Sequence, residues 1–297
     1  CESFCFFVMV NVVWIKRDAR VHDHGPLATA VSAREPFIVL YVYEKCQLLQ
    51  PSVHGSHIHF INEGLKDLDA ALSSSEEFKK LSSLTVCYST VIKVLSSINE
   101  KLTLNYLFAH EETGHYASYQ RDRKVRAWCK ENGVKFQEFE QTGVKRRLKN
   151  RDDFSKFHKI FMEKPQHPTP SDFSKLIGPS AKLGFPGQCE SLLSPTELEE
   201  IPVENQCDRV DRQRGGEREG RRIFESFLLI RGRNYAKGIS SPNSSWDSCS
   251  RISAHLAWGH LSLRYIVQAT QRKQSQIKAL KISIDPSWGR SLSAFSS

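Results

Sequence analysis

The residues best suited to chemistry in this 297-residue chain lie between Ser240 and Arg264, in SSPNSSWDSCSRISAHLAWGHLSLR. Hydroxyls crowd its start: Ser240, Ser241, Ser244, Ser245, Ser248, Ser250 and Ser253. Apolar residues then follow at helical spacing, with Ile252 and Leu256 four apart. Leu261, Leu263 and Ile266 open a second helix after Gly259. A serine-rich loop that feeds a helix N-terminus offers free backbone N–H groups, hydroxyl donors and the positive end of a helix dipole. Arg251 adds a fixed cation with a planar donor fork. Together they would suit a pyrophosphate. On pattern alone, an ordinary helix capped by serines is the favoured reading of the same residues.

Other candidates are weaker. His110-Glu111-Glu112-Thr113-Gly114-His115 places its histidines five apart, whereas the zinc-protease helix needs them four apart. A solvated strand-to-helix turn is the expectation there. The pairs His22/His24 and His57/His59 have no Cys or carboxylate at ligand spacing and read as loop histidines. Cysteines at 1, 5, 46, 87, 129, 189, 207 and 249 form no C-x-x-C, so zinc and iron–sulfur spacing are both absent and reduced thiols are expected. No G-x-G-x-x-G follows the first strand, which removes the usual dinucleotide fingerprint. No catalytic side chain and no metal ligand is assigned.

These residues must be held by a scaffold, and the first half of the chain supplies a regular one. Apolar runs at Val10–Ile15, Phe37–Tyr43, Leu84–Tyr88, Tyr106–Ala109 and Val134–Phe139 predict five strands. Helical patterns at Gly25–Arg34, His57–Leu72, Val91–Leu102 and Tyr116–Asn132 fall between them. That alternation predicts an α/β, Rossmann-like domain with a five-stranded parallel sheet covered on both faces, over residues 1–144. From Lys145 the composition shifts. A basic run, Lys145-Arg146-Arg147-Leu148-Lys149-Asn150-Arg151, leads into a stretch that holds seven of the twelve prolines. Residues 145–222 therefore read as a long, poorly ordered interdomain linker, with a short helix at Phe154–Met162. Helical pattern resumes from Ile223.

Hydrophobic content of 39% with 25% charged residues describes a soluble globular chain. A net charge of +9 suits a polyanionic partner as well as plain solubility. The longest apolar run, Phe4–Ile15, is broken by Asn11 and falls short of the ~20 residues of a membrane span. It lacks a basic region before it, so no signal peptide is expected and an intracellular location is. The chain opens on Cys1 rather than Met, so the true N-terminus is expected to lie outside it.

Cys249-Ser250-Arg251-Ile252-Ser253 and His255-Leu256-Ala257-Trp258-Gly259-His260-Leu261-Ser262, with Ile239-Ser240-Ser241-Pro242 before them, resemble the flavin-binding signature of the photolyase/cryptochrome family. There a Thr-Ser-x-Leu-Ser run precedes Tyr-Leu-x-(Phe/Tyr)-Gly-x-Leu-Ser. Trp14-Ile15-Lys16-Arg17-Asp18-Ala19-Arg20-Val21-His22-Asp23 is similar to the family's opening, where Asp18 and Arg20 are read as pinning the first turn to the sheet. Leu107–Val125 resembles the iron–sulfur bacterial cryptochrome/(6-4) photolyase branch.

The resemblance implies FAD as cofactor, bound at the start of an all-α domain at 223–297. Tyr235, Cys249, Ser250, Arg251, Ile252 and Ser253 take the flavin-binding positions, with Cys249 standing where the family has Thr. It also implies an antenna chromophore of lumazine or folate type, to which no residue is assigned. The branch's iron–sulfur cluster is not supported by the cysteines present. The implied partner is damaged duplex DNA, with no membrane, and the implied reaction is light-driven repair of pyrimidine lesions by electron transfer from reduced FAD. A cryptochrome-type blue-light photoreceptor is the alternative. In the family the segment after Arg290-Ser291-Leu292-Ser293-Ala294-Phe295 runs into helices that complete the flavin pocket, so a truncated, nonfunctional product is a third expectation.

Overall fold

The structure is a computed structural model that describes residues 9–48, 53–73, 83–114, 116–179, 188–189, 192–197 and 203–279. His115 and the segment Arg290–Phe295 lie outside these residues. The described chain forms two compact units: Cys1–Glu140 with His167–Gly216, and Gln141–Gln166 with Glu217–Ser297. The span from 145 to 222 thus contributes to both.

The first unit is built on strands β1 (Met9–Ile15), β2 (Phe37–Tyr43), β3 (Leu84–Tyr88), β4 (Thr103–His110) and β5 (Lys135–Phe139). Helices α1 (Gly25–Ser32), α2 (Lys45–Leu48), α3 (Gly55–Leu72), α4 (Val91–Lys101) and α5 (Tyr116–Glu131) connect them. All five strands pair in parallel, and a two-residue strand β6 (Gln188–Cys189) adds an antiparallel edge on β3. The order is β5-β4-β1-β2-β3-β6. Every residue of β2 is buried, as a strand covered on both faces requires. Val12, Trp14, Leu40 and Val42 face Val94, Leu95, Val125 and Trp128 of α4 and α5. Tyr43, next to Val42, points the other way, and its hydroxyl donates to Asn62 of α3. Asn11, the polar break in the first apolar run, sits where the β1–β4 register shifts. Its Oδ1 accepts from the Tyr106 amide at 3.2 Å and its Nδ2 donates to Glu35 at 2.8 Å, so the buried amide is satisfied.

Two stretches of the 145–222 span make contacts within the first unit. Phe37 exchanges backbone bonds with 175–177, and Arg212 forks onto Glu63 of α3 at 2.8 and 2.9 Å, while the Gly215 amide donates to Glu63 at 2.6 Å. Proline content removes helices and strands from these stretches but leaves carbonyls and side chains free to dock. No helix among the described residues is long and apolar enough to cross a membrane.

The second unit contains α6 (Phe154–Glu163), α7 (Glu217–Leu229), α8 (Tyr235–Gly238), α9 (Pro242–Ser248), α10 (Ser253–Ala257) and α11 (Leu263–Ala279). Ile223, Phe224, Phe227, Ile252, Leu261 and Ile266 form its core. Helix α7 begins six residues before the apolar pattern does. Its polar first turns are held by the ion pairs Arg221–Glu217 and Arg222–Glu219, which apolar periodicity cannot register.

Candidate functional site

Two constellations carry chemical groups, one in each unit. In the first unit the sheet order 3-2-1-4-5 puts a topological switch between β1 and β4, and the residues that follow those strands meet there. Asp18, three residues beyond β1, is fully buried. One of its carboxylate oxygens, Oδ2, faces His110 Nδ1 at 2.6 Å and His24 Nε2 at 3.1 Å. Its Oδ1 accepts from the Lys16 amide at 2.6 Å. Burial alone would raise the Asp18 pKa, but the imidazole N–H groups outweigh it and hold the carboxyl well below its ordinary value. Burial, reinforced by His24, pushes His110 down to about 3, so its ring is neutral at neutral pH.

The ligand-capable atoms of Asp18, His24 and His110 lie within 4.8 Å of one another, close enough to invite a metal reading. Proton assignment argues against one. The Leu27 amide donates to His24 Nδ1 at 3.1 Å, so that nitrogen is an acceptor and the ring's proton sits on Nε2, toward Asp18. A metal there would need Nε2 as a lone pair, leaving an imidazolate. The contacts present are those of a buried carboxylate hydrogen-bonded to His110 and the Lys16 amide, with His24 Nε2 3.1 Å away.

Two sequence expectations are corrected here. His110 and Glu112 are buried rather than in a solvated turn, and His24 is a buried helix cap rather than a loop histidine. Both miss for one reason: the tertiary crossing of β1 and β4 supplies the carboxylate that sequence neighbours lack. Asp18 does pin the first turn, through His110 and the Lys16 amide.

Beside the cluster, Lys16 pairs with Asp122 at 2.6 Å, and Arg121 with Asp122 at 2.9 Å and Glu44 at 3.1 Å. Lys16 and Arg121 both lie over the Trp14 ring, at 4.8 and 4.7 Å. Tyr41, level with Ile15 in the β1–β2 register, is 2% exposed, and its hydroxyl has no partner among the described residues.

In the second unit the serine-rich stretch folds as short helices joined by a bend. Many hydroxyls serve the backbone: Ser248 Oγ donates to the Ser244 carbonyl at 2.7 Å, and Ser245 Oγ to that of Pro242 at 3.3 Å. Those of Ser250 and Ser253 have no partner among the described residues, and Ser253 is exposed. Arg251 between them adopts a left-handed backbone, φ 58°, and its guanidinium lies over Trp246 at 4.5 Å. Ile252, 2% exposed, is the anchor that plugs the bend into the core. Tyr235 packs edge-on to Phe227 at 5.7 Å. Cys249 closes α9, its amide donating to Ser245. The helix that follows is one turn long, so its dipole is smaller than the sequence pattern suggested.

Sequence reasoning missed the residue that shapes this bend. Arg231 donates to the Cys249 carbonyl, to that of Ser250 at 3.3 Å and to that of Ile223 at 2.7 Å, with Nε on Ser226 Oγ at 3.1 Å. Burial, with Arg251 nearby, lowers its pKa to about 10. An arginine whose partners are backbone carbonyls leaves no motif to find. His255 is also fully buried, and a Cβ at Gly220 of α7 would stand 2.9 Å from its Nδ1.

A family model described as DNA photolyase matches residues 11–170. No curated protein matches the chain. Among solved structures it is similar to the Synechocystis sp. PCC6803 cryptochrome, with TM-score 0.67 and 18% identity over 97% of this chain and 60% of that one. It is similar to a bacterial class III photolyase from Agrobacterium tumefaciens, with TM-score 0.68 and 18% identity over 97% of this chain and 57% of that one. It is also similar to an archaeal photolyase from Sulfolobus tokodaii described with two FAD molecules, with TM-score 0.59 and 22% identity over 92% of this chain and 57% of that one. The chain thus spans 57–60% of the length of these solved relatives.

Proposed function

Since the chain belongs to the DNA photolyase family, whose model matches more than half of its 297 residues, we propose that it is a flavoprotein of the light-driven lesion-repair type. FAD is held by the Glu217–Ala279 part of the second unit. The α/β unit serves as the antenna-type domain, and the linker reading of 145–222 stands as part of the same proposal. The observation that carries the flavin reading is the pair of unpartnered hydroxyls, Ser250 and Ser253, on a bend fixed by Arg231 and plugged by Ile252. Hydroxyl oxygens that make no internal bond are open to a phosphate. Arg251 supplies positive charge between them, and its left-handed backbone turns the two serines on either side of a tight corner. Cys249 is a poorer donor than the family's Thr and contributes its backbone. Tyr235 contributes the apolar wall it shares with Phe227.

Bound FAD would supply the electron for lesion cleavage. The protein's share is to seat the cofactor and hold its phosphates. An antenna chromophore of lumazine or folate type is part of the same reading, with no residue assigned to it. Damaged duplex DNA is the proposed substrate.

The test is FAD titration of the wild type and of Ser250→Ala/Ser253→Ala, read by flavin fluorescence. Hydrogen bonds to a charged phosphate are worth about 1.5–3 kcal/mol each, so affinity should fall by roughly a hundredfold or more. Equal affinity would overturn the seat. Illumination of the reduced, FAD-loaded protein with a lesion-bearing duplex separates repair from signalling: lesion loss supports repair, and flavin photoreduction without lesion loss supports a photoreceptor.

A further inference from the structure

The start of α3 is built from groups that titrate near neutrality, and neither the flavin seat nor the strand-end cluster uses them. His57 and His59, read from the sequence as loop histidines, lie in the first two turns of this helix. His54 precedes it in extended backbone, and its Nδ1 accepts from the Ser56 amide at 3.1 Å. The His57 Nδ1 in turn accepts from the His54 amide at 3.3 Å. Such a reciprocal cap is usually made by Ser or Thr with Glu, and here two imidazoles make it. Each bond needs a lone pair on Nδ1, which only the neutral ring has.

A second segment of the chain rests on that cap. The Arg209 amide donates to Ser56 Oγ at 2.9 Å, so Ser56 joins the His54 ring to the segment. The approach is close enough to need glycine: a Cβ at Gly55 would collide with the Gln206 carbonyl and stand 2.8 Å from that of Cys207. Two turns further along α3, Glu63 accepts from Arg212 at 2.8 and 2.9 Å and from the Gly215 amide at 2.6 Å. The segment thus has two anchors of different chemistry, an imidazole cap and a carboxylate. The other titratable and charged groups around them are His59, Asp208, Arg214 and Glu197. Arg212 holds Asp208 through Nη2 at 3.1 Å, and Arg214 reaches Glu63 at 3.2 Å. Glu197, in the turn Pro195–Glu197 that packs on α3, accepts from the Ser194 amide at 2.8 Å.

We propose that His54 and His57 form a pH-released catch, which in mild acid frees Gln206–Arg209 from the start of α3 while Arg212–Gly215 stays on Glu63. Protonation turns Nδ1 from an acceptor into a donor that faces another N–H. It also puts positive charge at the positive end of a helix, with the second ring 6.4 Å away and Arg209 nearby. Partial burial, then His54 and Arg209, hold the His57 pKa below its ordinary value. A released His57 binds its proton near pH 6.5, and a capping one only at lower pH. The catch is therefore fully closed above about pH 6.5 and weakens as pH falls. Glu63 keeps its charge in that window. Burial alone would raise its pKa, but Arg212 and the Gly215 amide hold it below the ordinary value. The catch lies wholly within the first unit and is independent of the flavin seat.

The test is hydrogen exchange of the full chain at about pH 7 and about pH 5, with each amide corrected for its intrinsic rate. The Ser56 and Arg209 amides should open about tenfold more often at the lower pH, while the Gly215 amide and those of β2 hold. The variant His54→Asn/His57→Gln keeps two acceptors that do not titrate, so it should cap the helix and lose this pH dependence. His54→Asn and His57→Gln alone should each keep part of it, which apportions the catch between the two rings. Equal opening of Ser56 and Arg209 at both pH values in the wild type would overturn the proposal. So would the same pH dependence in the double variant, or Gly215 opening in step with Arg209.

Discussion

The strand-end cluster and the serine bend are both polar constellations next to a core, yet they are finished to different degrees. Around Asp18 the carboxylate is hydrogen-bonded to His110 and the Lys16 amide with the His24 ring at 3.1 Å, and the neighbouring cations are matched to Asp122 and Glu44. At the bend, Arg231 and Ile252 fix the backbone while the hydroxyls of Ser250 and Ser253 point to no internal partner. A carboxylate matched in this way makes stability and leaves little of itself for a ligand, although the Tyr41 hydroxyl and His24 Nε2 beside it are not hydrogen-bonded among the described residues. An unsaturated network held by a rigid frame makes a seat and adds little to stability. Cavities and motifs alone would not separate the two; satisfaction of each polar atom does.

The comparison breaks most sharply at Asp18. Asp18→Ala should leave the buried His110 imidazole N–H and the Lys16 amide without an acceptor. Each buried donor left unsatisfied costs about 1–3 kcal/mol. Urea unfolding, with hydrogen exchange of β1 and β4 amides to localise the loss, measures it; a loss below about 1 kcal/mol would show that the carboxylate is not hydrogen-bonded in the way described.

Acid should find the same weakness. His110 is held down to about 3 against an ordinary value near 6.5, so below that value the unfolded chain binds a proton that the folded chain does not. Stability is therefore full above about pH 6.5 and declines as pH falls toward 3, by at most ~1.4 kcal/mol per pH unit from this group. Asp18, also depressed, adds to the loss below about pH 4. His110→Gln should flatten the decline between about pH 6 and 4 relative to the wild type, and an identical slope would assign the effect to other groups.

On the side of the bend, the frame can be damaged without touching the seat. Gly220→Ala would push a methyl group to 2.9 Å from His255 Nδ1 and 3.0 Å from Leu261 Cγ. Overpacking of this kind costs about 1–3 kcal/mol. The loss should appear in α7 and α11 exchange and leave β1 untouched.

Smallest of all should be the stability effect of Ser250→Ala/Ser253→Ala, within about 0.5 kcal/mol without FAD, because no internal bond is lost. The same variant should show the largest change in flavin affinity. A marked fall in its urea midpoint without flavin would mean that those hydroxyls have internal partners, and the contrast between the two regions would collapse.

Much of this was legible in the residues themselves. Continuous apolar runs such as Phe37–Tyr43, spaced by helical patterns, dictate a parallel sheet because only strands buried on both faces can be apolar throughout. Ile252 and Leu256 at helical spacing, and the glycine at 259 with φ 65°, fix the two turns around the bend. The position of the serines was legible too, because hydroxyl-rich segments before apolar spacing mark helix starts. What the sequence could not decide was partnership. Asp18 and His110 are 92 residues apart, and they meet because β4 lies beside β1 in the sheet order. Arg231 acts on carbonyls, which every residue has, so nothing in its neighbourhood announces it. Local patterns set which elements form, because backbone hydrogen bonds and side-chain spacing are short-range. Which polar atoms end up satisfied, and which remain open to a ligand, depends on long-range crossings that only the tertiary structure makes.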